Sequence, residues 1–139
     1  MINRISDELM FNAQALQLRA QRQEVLSANL ANAETPNYKS RDFDFGSALR
    51  AATGAPDVGT LPAVQLATTN PRHIPGGNAN EIPVALQYRT PAQPSIDGNT
   101  VDPDLERGNF TDNALRYDAA LRMLNGQIQT LQQAMQSGS

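Results

Sequence analysis

Ala114, Tyr117, Leu121, Leu124, Ile128, Leu131 and Met135 follow one another at alternating spacings of three and four. That is the a/d pattern of a coiled-coil seam, and it commits the end of the chain to a long helix that needs a partner. Asp102-Pro103 is the start signal, an N-cap followed by proline at the first helical position. A helix from there to about residue 135 is ~50 Å long. Gly108-Asn109 is the point most open to interruption, and Gly126 weakens the helix by up to ~1 kcal/mol relative to alanine. Beyond Arg122 no side chain is formally charged, and Gln127, Gln129, Gln132, Gln133 and Gln136 coat the surface. Exposed helices usually gain solubility and support from ion pairs, so this surface fits a place where neighbouring chains crowd close.

The partner within the chain lies at the other end. Residues from about 3 to 34 read as one helix started by Asn3 or Ser6. Ile2, Ile5, Leu9, Ala13, Leu16, Ala20, Ser27 and Leu30 form one stripe along it. At ~100° per residue, Phe11, Leu18 and Val25 form a second line on the opposite side. Only 5% of the chain is aromatic and there is no Trp, so little apolar sequence remains to cover both faces. A helix that needs two partners and has one in its own chain points to self-association. The helix ends at ANLANAETPNY, residues 28–38, because Pro36 pushes Thr35 out of the α region. Asn29 and Asn32, on neighbouring turns, either satisfy backbone groups at the helix end or bond across to an adjacent subunit.

Between the helices the composition shifts. Residues 46–80 are rich in Ala, Thr, Gly, Pro and Asn, and much of this stretch is expected to be mobile in isolation. Short extended pieces are expected at 63–69 and at 82–90, where Ile82, Val84, Leu86 and Tyr88 alternate at period two. Asp97-Gly98-Asn99 carries a hairpin-type turn signal. Arg41-Asp42-Phe43-Asp44-Phe45 reads as an extended segment docking both phenylalanines on one side. The expected fold is mainly α, two long terminal helices pairing as a coiled coil with a small irregular or β middle region. Its parts are an N-terminal helix over 1–34, a middle region over 35–101 and a C-terminal helix over 102–139.

The same residues narrow the function. A chain of 139 residues is one ordinary domain. Its formal charge of -3, with no Lys/Arg cluster, speaks against nucleic acid as partner. The lack of cysteine removes disulfides and thiolate chemistry, and no stretch approaches the ~20 apolar residues of a membrane span. The first residues lack the apolar core of a secretory signal peptide, so export, if it occurs, is expected by another route. His73 is the single histidine, in a proline-flanked loop. Residues 97–108 fail as a calcium loop, with Asp102 where glycine is needed and Gly108 where glutamate is needed; they read instead as a turn and a helix cap, with acids near the positive end of the helix dipole. Asp42 and Asp44 are a formal acid/base pair without further support. No enzyme activity, catalytic residue, metal or cofactor is expected.

Residues 19–45, RAQRQEVLSANLANAETPNYKSRDFDF, resemble the N-terminal signature of flagellar axial proteins, Asn-Leu/Ile-Ala-Asn followed by Thr-Pro-Gly/Asn-Tyr/Phe. The matching residues are Asn29, Leu30, Ala31, Asn32, Thr35, Pro36, Asn37 and Tyr38, which the resemblance makes an assembly motif. Asn37 stands where glycine is common, and asparagine tolerates the left-handed conformation well. Residues 88–121, with Gln93-Pro94-Ser95 and the run from Asp97 to Asp102, are similar to the segment leading into the C-terminal helix of flagellar basal-body rod proteins, in the short subunits of the proximal rod. The resemblance implies a structural subunit whose paired terminal helices polymerise into a hollow, torque-transmitting tube across the periplasm. Leu9, Phe11, Leu16, Leu18, Val25, Tyr117, Leu121, Leu124, Ile128 and Leu131 would then serve helix pairing and subunit contact. Implied partners are further copies, other rod proteins, the basal-body adaptor at the export gate and the flagellar type III export apparatus, with export proceeding without a cleaved leader. The alternative reading is a soluble helical adaptor or export chaperone that binds a partner helix without polymerising.

Overall fold

The long apolar periodicities become two long antiparallel helices. The computed structural model describes residues 2–54, 82–91 and 95–136; the expected extended piece at 63–69 and His73 lie outside them. The first helix, α1, spans Ile2–Ala31 and the last, α3, spans Pro103–Gln136. Asn12 meets Gln127, Gln23 meets Asn113 and Asn29 meets Glu106, so the two run in opposite directions along one seam. Asp102 caps α3, accepting from the amides of Asp104 (3.0 Å) and Leu105 (3.2 Å), and Gly108-Asn109 passes without a break.

The face that α3 turns to α1 differs from the expected one. Glu106 and Asn113 are buried, and Tyr117, Ala120, Leu124, Gln127 and Leu131 are half-buried. Leu121, Ile128 and Met135 are instead 36%, 40% and 72% exposed. Three of the seven expected seam positions therefore face outward, with Ala120 and Gln127 taking the inner places of Leu121 and Ile128, while Ala114, Tyr117, Leu124 and Leu131 stay half-buried as expected. The physical reason is polar pairing. Asn113 donates to the Arg19 carbonyl (2.9 Å) and to Gln23 Oε1 (2.6 Å). Gln127 accepts from Asn12 (2.8 Å) and donates to Glu8 (3.0 Å). Leaving the Asn113 amide donor buried and unpaired would cost more than exposing part of an aliphatic side chain.

Helix α1 stops at Ala31 rather than near residue 34. Asn32 donates its amide Nδ2 to the Ala28 carbonyl (2.8 Å), closing the last turn with its own side chain. A turn follows to Asn37, which holds a left-handed φ of 60°. Strand β1, Arg41–Asp42, then pairs antiparallel with β2, Gln87–Tyr88, Arg41 opposite Tyr88. A helix not expected from the sequence, α2, occupies Phe45–Ala52. Asp44 caps it by accepting from the amides of Gly46 and Ser47, a local bond that outcompetes continuation of the extended segment. It packs on α1, with the Arg19 guanidinium 4.4 Å above the Phe45 ring.

This helix changes the account of the second line on α1. Leu18 is fully buried and Val25 half-buried beside Tyr38 and Leu86 of the middle region, while Phe11, one heptad before Leu18, is 45% exposed. Leu9 and Leu16 are half-buried. The period-two expectation for 82–90 holds only in part: Ile82 and Val84 are half-buried, but Leu86 and Tyr88 are exposed. Among the described residues Leu18, Leu26 and Phe43 are the buried hydrophobics, against five buried polar side chains, Asn29, Ser40, Asn99, Glu106 and Asn113. Hydrogen bonds therefore carry much of the specificity of this fold.

Candidate assembly junction

The two sequence signatures, about sixty residues apart, meet in space. From Tyr38 to Asp42 the chain runs between β2 and the segment 97–100. The Asn37 amide donates to the Asp97 carbonyl (2.9 Å), the Thr100 amide to the Tyr38 carbonyl (3.0 Å) and the Arg89 amide to the Ser40 carbonyl (3.0 Å). The Ser40 amide donates to Thr100 Oγ1 (2.9 Å). The turn at 95–98 is closed by the Gly98 amide on the Ser95 carbonyl (3.2 Å). It does not join β1 to β2, as a hairpin turn would, but seats against Asn37. Gly98 has φ +71°, which favours glycine, and a Cβ there would lie 2.7 Å from Asn37 Oδ1, so the Asn37 side chain would have to shift to admit one.

Two asparagines hold this junction on the helix end. Asn29 is fully buried and behaves like a neighbouring strand: its Nδ2 donates to the Arg41 carbonyl (2.7 Å), and its Oδ1 accepts from the Arg41 amide (3.1 Å). Tyr38 Oη donates to the same Oδ1 at 3.4 Å. Asn99 faces the other way. Its Nδ2 lies within 3.0 Å of the carbonyls of Asn32, Ala33 and Thr35, and its Oδ1 accepts from the Val101 amide (2.8 Å). The carbonyls left open where α1 ends thus find a donor from the second signature. Asn32 also accepts from Thr35 Oγ1 (3.2 Å). Of the remaining motif residues, Leu30 is half-buried, and Ala31, Thr35, Pro36 and Asn37 are exposed.

Beneath the junction lies a chain of charges that sequence reasoning did not assemble. Arg22 grips Asp42 with two hydrogen bonds, Nε to Oδ1 (3.1 Å) and Nη2 to Oδ2 (2.8 Å). Arg89 bridges Asp42 (2.6 Å) and the buried Glu106. Two helices and two strands are thereby tied together: α1, β1, the end of β2 and α3. Burial alone would raise the Asp42 carboxyl, but the bonds from Arg22, the Phe43 amide and Arg89 hold it below the usual carboxylate range. At Glu106 burial wins over Arg89 and Asn29, and the carboxyl is pushed up. Asp42 and Asp44 have separate tasks, ion pairing and helix capping, and do not form an acid/base pair. Glu106, among the acids expected near the positive end of the helix dipole, shares the heptad position of Asn113, Ala120 and Gln127; that spacing of seven was the available signal for its burial.

Outside the junction, α3 presents Leu115, Leu121, Met123, Ile128 and Met135 to solvent, and α1 presents Met10 and Phe11. No helix among the described residues is long and apolar enough to cross a membrane. Within them no group of three or more His, Asp or Glu side chains is placed to hold a metal ion.

Comparison with known proteins accounts for this arrangement. Residues 9–39 match the family model described as flagella basal body rod protein. The chain is 47% identical over 139 residues to the flagellar basal body rod protein FlgB of Escherichia coli strain K12, covering all of both chains. It is 45% identical over 141 residues to the protein of that name from Salmonella typhimurium, again over the full length of both. The FlgB of Cereibacter sphaeroides is 45% identical over 129 residues, 93% of this chain and 94% of its own. Similarity at this level, running from end to end and through both signatures, places the chain in the FlgB family of flagellar basal body rod proteins.

Proposed function

We propose that this chain is a structural subunit of the flagellar basal-body rod, in its proximal part, and that it polymerises through its paired terminal helices into a hollow tube that transmits torque. The observation that carries this reading is the outward heptad of α3. Leu121, Ile128 and Met135 repeat at seven-residue intervals on a face that the chain's own α1 leaves open. An apolar stripe of that length on one helix, flanked beyond Arg122 by uncharged glutamines, is a contact surface waiting for another helix. Contacts that do not close on themselves build open helical assemblies.

Family membership supports the finer reading as well. The partners are further copies, neighbouring rod proteins and the basal-body adaptor at the export gate. The location is the basal body where it crosses the periplasm, reached through the flagellar type III apparatus without a cleaved leader. A scaffold whose buried side chains among the described residues are more often polar than apolar suits delivery as an unfolded chain, because the penalty for leaving it unfolded until incorporation is small.

Mass spectrometry of detergent-purified hook-basal bodies tests this reading. The expected result is the chain in stoichiometric amount and intact from its N-terminus. Absence from those structures, with a discrete cytoplasmic pool, would overturn it in favour of a soluble adaptor.

A further inference from the structure

The turn at 95–98 holds its most exposed member, Ile96, entirely in solvent. The bracing is extensive: Gly98 to Ser95, Asn37 to Asp97, Ser95 Oγ to the Asn99 carbonyl, the Asn99 amide to Asp97 Oδ1 (3.2 Å) and Lys39 Nζ to the Gly98 carbonyl (2.6 Å). Elsewhere on the junction lies a groove of about 200 Å³ lined by Val25, Ala28, Tyr38 and Leu86. A cavity of ~150 Å³ admits benzene, so this groove has room for a branched aliphatic side chain.

The charges around the two features are complementary. The isoleucine is flanked by one cation, Lys39, and one anion, Asp97, whose carboxyl the Asn99 amide and Ser95 hold below the usual range. The groove is rimmed by one anion, Glu24, and one cation, Arg41, neither of which makes an ion pair among the described residues. Because Ile96 is fully exposed, it does not occupy the groove of its own chain.

We propose that the Ile96 turn of one copy of this chain seats in the Val25–Ala28–Tyr38–Leu86 groove of the next, with Lys39 opposite Glu24 and Asp97 opposite Arg41. Knob and groove sit at different places on the same protomer, so the contact runs head to tail and does not close. It fixes the lateral step between successive copies, a task distinct from the stacking of the α3 stripes. The proposal rests on the reading of the chain as a rod subunit.

The chain has no cysteine, which allows a clean crosslinking test on the full-length protein in purified basal bodies. Ile96→Cys combined with Ala28→Cys is expected to give disulfide-linked dimers and a ladder of higher species, and neither single variant to give any. Ile96→Asp is expected to lower incorporation at least tenfold while leaving the helical content of the free chain unchanged. The proposal is overturned if the double variant is incorporated but stays monomeric, if Ile96→Cys alone dimerises, if the only crosslinked partner is a different protein, or if Ile96→Asp incorporates normally. Absence of the unmodified chain from basal bodies would instead defeat the rod reading, and this contact with it.

Discussion

Replacing Asn29 by alanine removes a backbone mimic from a fully buried position. Two hydrogen bonds to Arg41 are lost, at 2.7 and 3.1 Å, and two longer ones, to Glu106 and from Tyr38 Oη, both at 3.4 Å. A net hydrogen bond contributes ~1 kcal/mol, and a polar group left buried without a partner costs ~1–3 kcal/mol. Glu106 keeps Arg89 as a partner, so the groups left without one are the Arg41 amide and carbonyl. The expected loss is about 2–4 kcal/mol, which for a chain of this size lowers Tm by roughly 6–12 °C. Asn32→Ala serves as the control, because its bond to the Ala28 carbonyl is exposed; its cost is expected below about 1 kcal/mol. Asn29→Asp is expected to be worse than alanine at neutral pH, since it sets a second carboxylate beside Glu106 and against the Arg41 carbonyl. Thermal unfolding of the free chain followed by circular dichroism checks all three. A change of under about 0.5 kcal/mol for Asn29→Ala, or an equal cost for Asn32→Ala, would refute the strand-mimic reasoning.

Leu121→Asp and Leu124→Asp should separate assembly from folding. The first lies on the exposed stripe and is expected to leave monomer stability within about 0.5 kcal/mol while abolishing incorporation into basal bodies; the second faces α1 and is expected to destabilise the free chain itself, by several kcal/mol. The two carboxylates of the charge chain, Asp42 half-buried and Glu106 buried, predict opposite pH dependences. Asp42 titrates below its unfolded value, so its stabilisation is present above about pH 4 and is lost as pH falls through the folded value. Glu106 titrates above its unfolded value, so wild type is expected to lose stability relative to Glu106→Gln as pH rises through that window, a difference urea titrations at several pH values would detect. Gly98→Ala is expected to cost about 1–3 kcal/mol from its positive φ and the 2.7 Å approach of Asn37. Gly126→Ala, whose Cβ would meet nothing within 4 Å, should stabilise the free chain by up to ~1 kcal/mol, and calorimetry on the pair gives the contrast.

Much of this was legible along the chain. The three-and-four spacing from Leu9 to Leu30 and from Tyr117 to Leu131 announces two long helices, because a 3.6-residue period leaves no other way to gather those side chains on one face. Asp102-Pro103 marks the start of α3, Pro36 the end of α1's reach, and Asn37 the left-handed turn, each through backbone chemistry that needs no tertiary context.

Which face each helix buries was decided only by the fold. Apolar periodicity alone selects Leu121 and Ile128 for the seam, yet Asn113 and Gln127 hold those inner positions because α1 offers them the Arg19 carbonyl, Gln23, Asn12 and Glu8. Likewise α2 depends on the Asp44 cap and on α1 to pack against, and the Arg22–Asp42–Arg89–Glu106 chain joins residues up to 84 positions apart. Local propensity acts over a few residues and is written in the sequence directly, whereas the pairing of buried polar groups depends on which partners the folded chain brings within hydrogen-bonding distance.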